Sequence, residues 1–89
     1  MNVIQPQEQK LALYHYLGCP YCSIAREPFE RLGIEVELRD IQTNPQHRKD
    51  LINARGRGTV PVLRIMSSGV KDQWLPESRD IIRYIEKNY

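Results

Sequence analysis

No apolar run in this sequence approaches the ~18 residues that would span a bilayer, because Lys, Arg, Asp or Glu interrupts every candidate. No membrane partner is therefore expected. The opening stretch, Met1 to Lys10, lacks a basic n-region, an apolar core and a small-residue cleavage site. A secretory route is not encoded in it, so residues 1–10 are expected to form a flexible extension of a cytoplasmic protein. A charge surplus of one sign is missing too: 13 basic and 11 acidic side chains leave a net +2. That is too slight for a nucleic-acid binder, which normally carries a clustered basic face. Repeats and low-complexity tracts are absent, and 89 residues leave no room for a second core, which would need roughly 50 residues of its own. One small domain, acting as a monomer, is the expectation.

Cysteine is scarce, and its placement is informative. The only two, Cys19 and Cys22, fall in G-C-P-Y-C-S, residues 18–23. As a structural staple they would close a ring spanning almost no chain, in a compartment that keeps thiols reduced. As half of a closed zinc site they would need two further ligands, and only His15 and His47 are available, in separate segments. No metal site is expected. A helix-start cysteine followed by an inert buried one is the bland alternative. The remaining reading is a pair that does chemistry.

Hydrophobic periodicity places that pair. Leu11–Tyr16 alternates as a strand, with Leu11, Leu13 and His15 sharing a face. Pro20–Leu32 has helical spacing, opens on a proline and stops at Gly33, with Pro28 inside it expected to bend the axis. Ile34–Ile41 alternates apolar with charged residues, a second strand. Asn44-Pro45 breaks it and opens a modest helix to about Ala54, ended by Gly56 and Gly58. Val60–Met66 is strand-like, Ser67–Gly69 a turn, and Val70–Leu75 a short partner strand. A last helix is expected over Pro76–Lys87. The order βαβαββα predicts an α/β fold, a mixed four-stranded sheet flanked by three helices.

The cysteines thus straddle a strand-to-helix junction. Residues at i and i+3 of a helix lie ~5–6 Å apart, within reach of a disulfide, so the pair can cycle between dithiol and disulfide. Helix-terminal amides favour negative charge at Cys19 and can bring a thiol pKa of ~8.5 down to between ~3.5 and ~7.5. A drop to ~5 raises the thiolate fraction at neutral pH roughly 30-fold, but nucleophilicity falls by a similar factor. The clearer gain is a good leaving group, which makes Cys19 the nucleophile and Cys22, one turn in and less exposed, the resolver.

Two further segments can support this chemistry. In Thr59-Val60-Pro61 the X-Pro bond can be cis, and the Val60 backbone is a candidate to pair with an extended peptide. Pro76-Glu77-Ser78 opens the last helix, where the Ser78 amide and hydroxyl can hold a carboxylate and Glu77 an ammonium. Together the three segments describe a groove for a small peptide with a free amino acid end, as in glutathione.

Cys19-Pro20-Tyr21-Cys22, Thr59-Val60-Pro61 and the element order resemble the glutaredoxin family from Leu11 onward. The stretch Leu75–Ile82 is more similar to the N-terminal domain of glutathione transferases and of the two-domain bacterial glutaredoxin. The resemblance implies a thioredoxin-like fold and a glutathione-dependent thiol–disulfide oxidoreductase, with disulfide-containing or glutathionylated proteins as partners and no bound cofactor. It assigns catalysis to Cys19 and Cys22, and glutathione contacts to Tyr21, Val60, Pro61, Glu77 and Ser78. Tyr16 and Arg57 stand where many members carry lysine and glutamine. Arg57 or Arg55 would then supply a positive charge from a cluster, with Arg48 and Lys49, that otherwise reads as a solvated surface. The alternatives are a glutathione-binding interaction module without turnover and an iron–sulfur carrier, the latter disfavoured within the family by Pro20 and Cys22.

Overall fold

The computed structural model describes residues 9–89. Strand β1 (Gln9–His15) is its axis. Side chains alternate across a strand, so Leu11, Leu13 and His15 face one way and Ala12 and Tyr14 the other. All five are buried. A strand covered on both faces suits the interior of a sheet, and β1 runs between β2 (Glu37–Asp40), parallel to it, and β3 (Val62–Ser67), antiparallel. Strand β4 (Gln73–Pro76) adds antiparallel to β3, giving the order β2-β1-β3-β4. The mixed four-stranded sheet of a thioredoxin-like fold is therefore present, as expected.

Helices α1 (Pro20–Leu32) and α3 (Ser78–Asn88) cover one face, where Leu11, Leu13, Leu63 and Ile65 meet Ala25, Phe29, Ile81 and Ile85. Helix α2 (Pro45–Arg55) covers the other through Leu51, against Ala12, Tyr14, Ile41 and Val62. The phenol of Tyr14 remains satisfied there, its oxygen accepting from Arg39 Nη1 at 2.8 Å and Arg64 Nη1 at 3.2 Å.

Helix ends follow local chemistry closely. Helix α1 starts and stops where its proline and glycine predict, and it continues through Pro28, whose ring is fully buried. Gly33 closes it with φ of 65°, its N–H donating to the Glu30 carbonyl while that of Ile34 donates to Phe29. This use of Ile34 explains why β2 begins at Glu37 rather than at residue 34. Asn44 caps α2 by accepting from the Gln46 amide at 2.9 Å, and Gly56 ends it one residue beyond expectation.

Strand ends depart further from the sequence reading, since a partner decides them. Strand β1 starts at Gln9, opposite Ser67. The last two residues of the expected extension are thus in the sheet, and residues 1–8 lie outside the described part. Strand β3 starts at Val62 rather than Val60. Strand β4 starts at Gln73 and takes in Pro76, paired with Val62, so α3 begins at Ser78. An edge strand tolerates that proline because its missing N–H deprives no neighbour.

Candidate functional site

The turn between β1 and α1 carries both cysteines as free thiols. Cys19 is the N-cap of α1, with extended backbone (φ −86°, ψ 118°), and its sulfur takes the place a capping oxygen usually holds. It accepts from the Cys22 amide at 3.3 Å. An amide donor and the positive end of a helix both favour negative charge on that sulfur. Cys22 lies one turn in, fully buried. Burial, and then the hydrogen bond with Cys19, push its thiol from an ordinary 9.0 up to about 12, while the Tyr16 backbone and Arg26 oppose the rise. Cys19 is itself only 6% exposed, more covered than a freely reachable nucleophile would be.

Beside this turn opens a groove of about 580 Å³ lined by Tyr21, Thr59, Val60, Pro61, Val62, Pro76, Glu77, Ser78, Arg79 and Asp80. It gathers Tyr21, Val60, Pro61, Glu77 and Ser78 from three distant stretches of chain. The two cysteines are not among the lining residues. They adjoin it through Tyr21, which stands between them in sequence and is 63% exposed. The Val60-Pro61 bond is cis. Among the described residues neither the N–H nor the carbonyl of Val60 has a backbone partner, because the ladder begins only at Val62.

Glu77 is the N-cap of α3, yet it makes no capping hydrogen bond. Its φ of 77° is in a region that side-chain-bearing residues rarely adopt. The first turn of α3, which lines the groove, therefore has no capping acceptor from Glu77, which suits an anionic group. Arg79 and Asp80 also line the groove, and the sequence reading missed both. Their position in the first turn after Ser78 was the available signal. Arg55 and Arg57 are not among the lining residues, so Arg79 is the cation the groove does contain.

The two histidines are apart. His47, in α2, packs edge-on to the Tyr14 ring, with centroids 6.2 Å apart. His15 is buried at the end of β1, its Nδ1 3.1 Å from Arg26 Nη1. No group of three or more His, Cys, Asp or Glu is placed to hold a metal ion among the described residues. Nor is any helix there long and apolar enough to cross a membrane.

With this geometry in hand, likeness to known proteins is informative. The model of the glutathione S-transferase N-terminal domain matches residues 13–89. Glutaredoxin 2 of Escherichia coli (strain K12) is 34% identical over 77 residues, covering 86% of this chain and 33% of that protein. The crystal structure of glutaredoxin 2 from Salmonella typhimurium in complex with glutathione superposes with a TM-score of 0.68 at 33% identity, over 85% of this chain and 32% of that one. Glutathione transferase Omega 2S from Trametes versicolor has a TM-score of 0.72 at 21% identity, over 89% and 36% of the two chains, a likeness of fold. The chain spans about a third of the length of the curated relatives it matches. By sequence and by fold, it belongs to the glutathione S-transferase N-terminal domain family, with glutaredoxin 2 among its relatives.

Proposed function

We propose that this domain is a glutathione-dependent thiol–disulfide oxidoreductase of the cytoplasm, acting as a monomer on glutathionylated or disulfide-containing proteins. The observation that carries the reading is the Cys19 sulfur as N-cap acceptor at 3.3 Å from the Cys22 amide, next to the groove formed by Val60, Pro61, Glu77 and Ser78. Cys19 thiolate attacks a mixed disulfide, forming a new bond to one sulfur and expelling the other as a thiolate. When glutathione is bound to Cys19, its γ-glutamyl carboxylate fits the uncapped amides of α3 and its ammonium fits Glu77. The N–H and carbonyl of Val60, which have no backbone partner among the described residues, suit its cysteinyl backbone. A second glutathione, or Cys22, then releases the intermediate.

The low exposure of Cys19 favours a second reading, a glutathione-binding module that turns over little. Reduction of a mixed disulfide between glutathione and a small thiol separates the two. Wild-type protein is expected to turn over, Cys19→Ser to lose at least about 100-fold, and Cys22→Ser to retain the activity through the one-thiol route. Equal rates for wild type and Cys19→Ser would leave only binding.

A further inference from the structure

His15 and Arg26 form a contact that the groove does not use. His15 is 3% exposed, the last residue of β1, on the face covered by α1. Arg26 lies on α1 four residues beyond Cys22, the spacing that stacks side chains on one helix face. A guanidinium can only donate, so at 3.1 Å the His15 Nδ1 must accept and its ring proton must be on Nε2. The histidine in this contact is therefore neutral. Charged groups acting on it come from two elements, Arg26 on α1 and Asp40 on β2. Burial and Arg26 hold it below the ordinary histidine range, and Asp40 works the other way.

Resting on the dithiol reading above, we propose that His15 is a positioning residue: it holds the Arg26 guanidinium toward Cys22, so that this buried thiol can ionise when it resolves a mixed disulfide on Cys19. Among the described residues, Arg26, one turn further along α1, is the cation whose charge favours the Cys22 thiolate. In the free dithiol, burial, the hydrogen bond with Cys19 and the charge of Cys19 all oppose ionisation of Cys22. Once Cys19 is joined to a partner sulfur, its proton and its charge are gone. Burial then opposes ionisation alone, while Arg26 and the Tyr16 backbone support it. Cys22 gives its proton to solvent, and its thiolate attacks the Cys19 sulfur. The Cys19–Cys22 bond forms, the bond to the partner breaks, and the partner leaves with the electron pair as a thiolate that takes up a proton. The dithiol is oxidised by two electrons and the partner reduced by two. If His15 were protonated, both ring nitrogens would donate and the contact with Arg26 would turn repulsive.

Dithiobis(nitrobenzoate) makes each step visible. Attack by Cys19 releases one coloured thiolate, and resolution by Cys22 releases a second. Stopped-flow rates at neutral pH are expected to show the second release slowed, by at most about threefold, in Arg26→Met and in His15→Leu, because fewer Cys22 thiolates form while each is more nucleophilic. His15→Asn keeps an acceptor where Nδ1 stood and is expected to restore the second release. Being unable to gain a proton, it should slow on acidification only as far as protonation of Cys22 itself dictates, where wild type slows more steeply. Thermal melts report that each variant is folded; if His15→Leu is not, Arg26→Met and His15→Asn still decide. A normal first release with an unchanged second in Arg26→Met, or a folded His15→Asn without rescue, overturns the inference alone. A Cys19→Ser protein with wild-type first release overturns the dithiol reading and this inference with it.

Discussion

At the scale of single residues, Glu77 shows where backbone strain and the groove coincide. Its φ of 77° with ψ of 120° is one that only glycine adopts freely. A non-glycine residue held there costs about 1–3 kcal/mol, sustained by the packing of its neighbours. Glu77→Gly is expected to recover about 1 kcal/mol of this and raise the melting temperature by roughly 4–8 °C, whereas Glu77→Ala, equally strained, should gain nothing. Both variants lose the carboxylate, and both are expected to bind glutathione about tenfold more weakly by calorimetry, the loss of one charge-assisted hydrogen bond. Stability that rises while affinity falls, in the glycine variant alone, would identify the strain as held for the ligand. Nothing in the letter sequence marks this conformation, because a glutamate after a proline gives no sign of a positive φ. The burial of Cys19 was equally invisible, since it depends on how the turn packs once the sheet has formed.

Among the elements, α2 is the least firmly held. Leu51 is its one fully buried side chain, whereas α1 buries Cys22, Ala25, Pro28 and Phe29 and α3 buries Ile81 and Ile85. Leu51→Ala is expected to cost about 2–5 kcal/mol. Native-state hydrogen exchange should find the α2 amides opening before those of α1 and α3, and Leu51→Ala should widen that gap. What could be read in advance follows the same division between local and distant causes. Proline and glycine punctuation fixed the bounds of α1 to the residue, because capping is decided within a turn. The strand ends were misplaced by two or three residues, at Gln9, Glu37, Val62 and Gln73. Each is settled by a partner far away in sequence or, at Glu37, by a helix cap that consumes Ile34 first. The dithiol turn and the two groove segments were legible because short motifs carry them. Arg79 and Asp80 were signalled only by following Ser78 in the first turn of α3, whose placement brings them to the groove.

For the molecule as a whole, the β1–α1 junction sets limits on stability at both ends of the pH scale. His15 has a folded-state pKa below its unfolded value, so its contribution is complete above about 6.5 and is lost as pH falls through the lower folded value. Cys22 has a folded pKa raised from 9.0 to about 12, so the native chain keeps a proton that the unfolded chain gives up. Its contribution is complete below the unfolded value and declines as pH rises from 9.0 toward 12. Urea unfolding of the reduced protein should therefore show a plateau near neutrality, with each flank sloping by at most about 1.4 kcal/mol per pH unit for one group. His15→Asn should make the acid flank shallower and Cys22→Ala the alkaline one, to which the partly buried Tyr89 phenol, its pKa also raised, adds. The two outer strands carry a separate consequence. Each is four residues long; one presents Glu37 and Arg39, and the other ends in a proline that cannot donate. Such blunted rims offer a stray β-segment little to zip onto, which lets the domain crowd with its own kind without seeding fibrils.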